Sequence, residues 1–581
     1  MASKANILFL MADQLRWDAV LRPSFDGGPG KVFAPNLVEL AHEGLAISHA
    51  YTSTPTCTPA RSAILTGRSP WNHGMLGYGD IAVNYPVELA TTMARGGYMT
   101  ASVGKNHFGW NHTADAGVPH GFQHTLVYDG LDGFRHGSAT NENDDYDKWF
   151  REEMPGADPT PTPRGYDRWN GWRARAYQYS EELHPTAWTG RAAVKFLRDY
   201  IHNGTVEKPP FLLKVSFHRP HSPYDPPQRL LDMVSEEDLP PMHLCRAAQE
   251  GKLVENVSPG DAWCLRFRGE HGDPAGCGPT SVDAWCGKMP DEEVKKTRRA
   301  YLASLRFVDE QIGLILGELR HGGLLENTWI LFTSDHGDGQ GDMYHWRKGY
   351  PYEFAAHVPM ILRWPASWEA QQLTAGERVV PRGSVVQPPV VAELRDIFHT
   401  FVDAAGLSSN ASLVPASSSH SAVAFEEQDG KSLLCLLRDP TGKEHCQYAP
   451  NPGPWRSWID MEHSRIYNET MHWNALTDGR MKYIFRAFFA DEQLFNLTED
   501  PFETVDLSSN PAYSAELAQW RARLVSQFER EERGKQFVHK GSLMRRVNGF
   551  LYSPHYPKKA ESTSVLHPGL QSYEEEDQIV V

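Results

Sequence analysis

The apolar residues of this chain gather in short unbroken runs that stop abruptly at polar ones. Ala5 to Ala12 reads ANILFLMA and meets Asp13. A run of that length with no polar alternation is what a strand buried on both faces requires. Tyr98 to Val103 ends in Gly104 and Lys105, Phe211 to Phe217 ends in His218, and Thr328 to Thr333 ends in Ser334 and Asp335. Between the third and fourth runs, Tyr301, Leu302, Leu305, Val308, Ile312, Ile315, Leu316 and Leu319 follow the helical period. They predict a helix over Asp291 to Arg320, with Asp291 as N-cap and Gly322 as its stop. Strands alternating with long helices make an α/β protein with a mostly parallel sheet. Ligands of such sheets collect beyond the carboxyl ends of the strands, where these polar residues fall.

Asp129 to Gly190 is rich in Gly, Pro, Asp and Trp and reads as an irregular insertion. Its Trp149, Trp169, Trp172 and Trp188 suit either a buried aromatic cluster or a surface that stacks on sugar rings. Ser408 to Ser421 reads as an exposed loop. Beyond it the pattern changes. Met481 to Phe489 with Gln493 to Leu497 predicts paired antiparallel strands, and Ala512 to Arg530 predicts a helix. We therefore divide the chain into a large domain, 1–445, and a smaller C-terminal α+β domain, 446–581, with a solvated tail through Glu574, Glu575, Glu576 and Asp577.

Composition narrows the function. The 581 residues carry 57 Lys and Arg against 73 Asp and Glu, a net charge of −16, which argues against a general grip on nucleic acid or anionic lipid. With 40% hydrophobic and 22% charged residues the chain is a folded one. No membrane span is visible, and Ile7 to Ala12 falls short of a signal-peptide core, which is compatible with a cytoplasmic protein. Two features lean instead toward the secretory route, outside the cell or in the lysosome. Sequons stand at Asn111, Asn203, Asn256, Asn410, Asn468 and Asn496, marking a candidate glycoprotein, and the seven cysteines are unevenly placed. Cys245, Cys264, Cys277 and Cys286 share one segment, Cys435 and Cys446 another, and Cys57 stands alone. Seven reduced thiols is one reading; three disulfides and one special residue is the other.

Cys57 lies in Pro55-Thr-Cys57-Thr-Pro59-Ala-Arg61-Ser-Ala-Ile-Leu65-Thr-Gly67-Arg68. Pro59 suits the first turn of a helix, so Cys57 falls at a helix N-terminus, where unpaired N–H groups and the dipole favour an anion. Arg61, one turn on, is expected to face the same mouth, and a thiol placed there is a candidate low-pKa nucleophile.

C-x-P-x-R leading into L-T-G-R resembles the signature of the formylglycine-dependent sulfatases of the alkaline phosphatase superfamily. Asp13-Gln14, Lys105-Asn106-His107, Pro220-His221-Ser222-Pro223 and Ser334-Asp335-His336-Gly337, with Lys348, Tyr352 and Glu353, resemble further blocks of that family in the same order. So do Asp429 to Leu433 and the stretch from Gly479 to Pro501. Gln14 departs from the more frequent Asp at its position.

The resemblance implies an alkaline-phosphatase-like α/β/α sandwich. It further implies conversion of Cys57 to Cα-formylglycine by a formylglycine-generating enzyme, and one divalent ion held by Asp13, Gln14, Asp335 and His336 with the modified Cys57. Arg61, Lys105 and Lys348 would hold sulfate oxygens, His221 or Lys348 would protonate the leaving oxygen, and His107 would take the second hydrate proton. The oxygen-rich ligand set points first to Ca²⁺; Gln14 and the imidazole bring in Mn²⁺ and Zn²⁺ beside Mg²⁺. The expected activity is hydrolysis of sulfate esters, with a sulfated carbohydrate favoured as substrate and aryl sulfates as surrogates. Phosphonate monoester or phosphodiester hydrolysis, and non-catalytic binding of sulfated glycans, are the alternatives.

Overall fold

The computed structural model describes residues 4–21, 31–108, 119–130, 144–159, 173–202, 208–250, 289–407, 429–444, 446, 452–464 and 472–557. Eight strands form the main sheet: β1 (Asn6–Asp13), β2 (Leu45–Ile47), β3 (Met99–Gly104), β4 (His124–Val127), β5 (Phe211–Pro220), β6 (Thr328–Thr333), β7 (Met360–Arg363) and β8 (Ser384–Val386). Their order is β8-β2-β7-β6-β1-β5-β3-β4. All neighbours are parallel except β7, which runs antiparallel to both β2 and β6. The helices that matter here are α1 (Pro35–His42), α2 (Cys57–Thr66), α3 (Asp145–Glu153), α4 (Pro185–His202), α5 (Asp291–His321), α6 (Asp396–Ala404) and α7 (Ser514–Arg530).

The central strand β1 shows why its run is apolar throughout. Leu8, Leu10 and Ala12 enter one core with Leu37 of α1, Leu197 of α4 and Leu305, Val308 and Ile312 of α5. Ile7, Phe9 and Met11 enter the opposite core with Ile64 of α2 and Phe398 and Phe401 of α6. Each such side chain contributes about 1.5–3 kcal/mol on burial, so both faces resist a polar substitution. The result is an α/β/α sandwich.

Two boundaries differ from expectation. The N-cap of α5 is Pro290, and Asp291 is the first helical residue, followed by Glu292 and Glu293. These carboxylates face the helix dipole instead of capping a backbone N–H. The irregular stretch also ends earlier than Gly190, because α4 already begins at Pro185 and buries Ala187 and Ala193 against the sheet. Within it α3 is capped by Asp144, whose side chain accepts from the Asp147 N–H. Trp188 is buried among Tyr128, Tyr146 and Phe150, with Trp149 packed against them, so Trp188 is a core residue and not a stacking platform. Trp169, Trp172, the 408–421 loop and the acidic tail lie outside the described residues.

A second sheet, antiparallel throughout, holds β9 (Ile459–His463), β10 (Trp473–Thr477), β11 (Met481–Arg486) and β12 (Asp491–Asn496). Trp520, Leu524 and Phe528 of α7 cover one face of it, against Leu476, Tyr483 and Phe485. Cys435 and Cys446 are disulfide-bonded, and Cys245 is bonded as well, which sets aside seven reduced thiols; Cys57 is free. Among the described residues no helix is long and apolar enough to cross a membrane.

Candidate active site

The strand ends converge on the first residue of α2. Thr56 has extended dihedrals and precedes the helix, so Cys57 sits in its first turn, fully buried. Its Sγ lies 2.9 Å from Lys348 Nζ, 3.3 Å from His336 Nε2 and 3.8 Å from Lys105 Nζ. The Asp13 carboxylate, at the end of β1, lies 3.8 and 3.9 Å from the same sulfur. Lys105, just past β3, places its Nζ 2.6 Å from Asp13 Oδ2. One ligand atom from each of Asp13, Cys57, Asp335 and His336 falls within 4.8 Å of the others.

Charge at this point is set by competition between burial and close cations. Burial pushes the Asp13 carboxyl up, but the Lys105 and Lys348 ammonium groups hold it well below the ordinary carboxylate range. For Cys57, burial and then Asp13 push the thiol up, yet Lys105, Lys348 and His336 bring it down to about 5. His221 is driven the other way: burial first, then Lys348 and Lys105, hold it well below the usual imidazole range. It is therefore neutral. Its Nδ1 faces the Ser222 carbonyl oxygen at 2.7 Å and must carry the hydrogen, which leaves Nε2 as an acceptor.

The other expected residues separate into those the fold delivers to the sulfur and those it does not. Arg61 was expected to hold substrate oxygens; in the structure its guanidinium faces protein groups. Nε and one terminal nitrogen bond Asp335 Oδ2 at 3.1 and 2.9 Å, and the same terminal nitrogen reaches Asp13 Oδ2 at 3.2 Å. The other terminal nitrogen donates to Lys105 O and Ser216 Oγ. All five N–H groups are thus directed at protein, three of them at the Asp13 and Asp335 carboxylates. His107 is buried, its backbone N–H donates to Asp129 Oδ1 at 2.8 Å, and its ring lies edge-on to Tyr78 at 5.9 Å. Gln14 stands at φ +62°, the left-handed region that costs a non-glycine residue about 1–2 kcal/mol. Its N–H donates to Asp335 Oδ1 at 3.2 Å, and its Nε2 to Asp338 Oδ2 at 2.6 Å.

A divalent ion suits this donor set. Two carboxylates, an imidazole nitrogen and Cys57 converge there, and Gln14, bonded through its backbone N–H to Asp335 Oδ1, carries a buried Oε1 with no hydrogen-bond partner in the protein. An orphaned oxygen of that kind is costly unless a cation takes it.

Several participants were not foreseen. Asp338 stands three residues past Asp335 and takes bonds from Gln14, Tyr224 and Gln340. Its place inside the Ser334 to Gly337 neighbourhood was the available signal. His463 comes from β9 of the second sheet, with Nε2 3.0 Å from Thr56 Oγ1, and no local pattern marks it.

The profile of the sulfatase family matches residues 5–407. The chain is 33% identical over 540 residues to an arylsulfatase of Clostridium perfringens, covering 91% of this chain and 96% of that protein. It is 26% identical over 530 residues to a choline-sulfatase of Rhizobium meliloti, covering 87% and 83% of the two chains. In three dimensions it is similar to a phosphonate monoester hydrolase of Agrobacterium radiobacter, with a TM-score of 0.64 at 22% identity over 91% of this chain and 96% of that one.

Proposed function

This chain belongs to the sulfatase family and is a sulfuric ester hydrolase, and from that premise we propose that it cleaves sulfated carbohydrates through a formylglycine made from Cys57. The observation that carries the reading is the Cys57 side chain at a helix N-terminus, 2.9 Å from Lys348 Nζ and enclosed by Asp13, Asp335 and His336. We assign this chemistry to the domain 1–445, with 446–581 as the smaller C-terminal domain, whose His463 and Trp473 bond Thr56 and Gly349.

Converted to Cα-formylglycine, Cys57 would supply a hydrated aldehyde oxygen as nucleophile. A divalent ion held by Asp13, Gln14, Asp335 and His336, with the modified Cys57, would supply the charge that polarises the sulfate; Ca²⁺ fits the oxygen-rich set. The chain's own residues do the rest. Lys105 and Lys348 converge on the sulfur position and neutralise non-bridging sulfate oxygens, while Arg61 keeps Asp13 and Asp335 aligned. Between His221 and Lys348, Lys348 is the better proton donor to the leaving oxygen, because the free His221 nitrogen is an acceptor in its neutral ring. His221 accordingly receives a hydrogen bond from substrate, and His107 is assigned the proton of the hydrate. The Cys435–Cys446 bridge supports passage through an oxidising compartment, where a formylglycine-generating enzyme would meet the chain.

Mass spectrometry of the tryptic peptide 32–61, with aldehyde trapping, tests the nucleophile. Protein from a host able to convert the motif is expected to carry the aldehyde. An unmodified thiol there would leave a sulfated-glycan-binding protein in its place. Matched aryl sulfate and aryl phosphonate esters separate the two hydrolytic activities, and a higher kcat/KM on the phosphonate would overturn the sulfatase assignment of substrate. Desulfation of a sulfated monosaccharide, followed by sulfate release, tests the substrate class.

A further inference from the structure

Asp338 is a carboxylate saturated with donors on one side of the candidate metal centre. Its Oδ2 accepts from Gln14 Nε2 at 2.6 Å, Tyr224 OH at 2.7 Å and Gln340 Nε2 at 2.9 Å. Its Oδ1 accepts backbone N–H groups of Arg347 at 2.8 Å and Gln340 at 3.2 Å. An ionised carboxylate can only accept, so the Gln14 amide has one orientation beside it: nitrogen toward Asp338, oxygen away. That oxygen is the buried, unpartnered Oε1 of a residue that follows Asp13 directly in the chain and whose backbone N–H bonds Asp335 Oδ1. The Gln14 backbone is clamped as well, by its N–H on Asp335 Oδ1 and by Tyr301 OH donating to its carbonyl at 2.8 Å. Only the amide rotation is left to be decided, and Asp338 decides it.

We propose that Asp338 is a positioning residue of the metal centre, locking the Gln14 carboxamide so that its oxygen, and not its nitrogen, faces the divalent ion. The inference rests on the metal reading above and deepens it. A glutamine ligand adds no charge, so its value depends entirely on orientation: a flip replaces an oxygen donor by an N–H group aimed at a cation. Asp338 acts through Gln14 and touches neither substrate nor ion.

A reciprocal swap tests it, read by calorimetric titration of metal-stripped protein with Ca²⁺ and, separately, Mn²⁺. In Asp338→Asn the two backbone N–H groups retain the amide oxygen, so the new NH₂ confronts Gln14 Nε2 and forces the flip. Affinity is expected to fall about 10- to 100-fold, the usual loss when a partner of a ligand is removed. Gln14→Glu sets a carboxylate oxygen against Asp338 Oδ2 and is also expected to weaken binding, despite the added negative charge. The double variant pairs the new acceptor with the new donor and is expected to recover at least wild-type affinity. Losses that simply add in the double variant would overturn the inference, as would Gln14→Glu alone binding tighter than wild type. Wild-type protein that takes up neither ion would overturn the metal reading itself, and this inference with it. Should Asp338→Asn fail to fold, as judged by circular dichroism, recovery of a folded, metal-binding protein in the double variant still supports the pairing. A double variant that also fails to fold, together with tighter binding by Gln14→Glu, rejects it.

Discussion

At the scale of single residues, the site is a set of charges whose protonation is decided by neighbours within a few ångströms. The unconverted Cys57 thiol, brought to about 5 by Lys105, Lys348 and His336 against burial and Asp13, is expected to be thiolate at neutral pH in metal-free protein. Its ultraviolet thiolate absorbance should fall with a midpoint near 5, and a midpoint near the free-thiol value of 9.0 would contradict that arrangement. The sign for stability follows. A depressed acid pKa contributes stability that is full above the unfolded value and shrinks as pH falls toward the folded one, so unconverted protein loses this contribution between about 9 and about 5. Lys348→Ala is expected to lower kcat by about 10²-fold or more, the scale of a lost general acid, and to do so more on an alkyl sulfate than on a nitrophenyl sulfate whose oxygen leaves unaided. Equal losses on both esters would return the proton to His221. Gln14→Asp, whose shorter carboxylate adds charge and needs no fixed orientation, should keep or raise Ca²⁺ affinity by titration calorimetry. A large loss would remove Gln14 from the ligand set.

At the scale of elements, strand ends do the positioning. The β3 strand closes at Gly104, φ +90°, where an added Cβ would stand 2.2 Å from the Ser216 carbonyl oxygen of β5. That close approach sets the chain direction into Lys105, whose N–H donates to the same Ser216 oxygen at 2.7 Å. Gly104→Ala is expected to cost about 1–3 kcal/mol, from the left-handed backbone and the contact together. Urea unfolding checks this, and an unchanged midpoint would mean the strand end relaxes freely. The four strands with unbroken apolar runs were legible because both of their faces are buried. The start of α4 was not, because Pro185 and Trp188 read locally as loop composition, and only packing against the sheet and Tyr146 shows them to be helical. Asp291 missed as a cap for a related reason: carboxylates at the cap and in the first turn leave the same trace in a sequence.

At the scale of the whole molecule, the second sheet is part of the site's foundation. Lys482 of β11 pairs with Glu353 at 2.6 Å and Glu503 at 2.8 Å, all three buried, and its Nζ also donates to the Pro351 carbonyl at 3.0 Å. Trp473 of β10 donates to the Gly349 carbonyl at 2.9 Å, next to Lys348. Lys482→Met takes the shared cation from two buried carboxylates and is expected to cost about 3–5 kcal/mol. Thermal unfolding should register the loss in one shared transition, whereas a separate melt of the second sheet would show the two parts to be independent. By itself the sequence determined the class of sheet, the strand ends that carry polar residues, the helix-borne cysteine and the order of the chemical blocks, because burial on two faces and helical periodicity are properties of adjacent residues. Only the tertiary structure decided what each polar group faces. Arg61 met the Asp13 and Asp335 carboxylates, Asp338 and His463 came beside the expected residues, Trp188 went into a core, and Gln14 was left with one bare oxygen, since direction and partner depend on segments far apart in the chain.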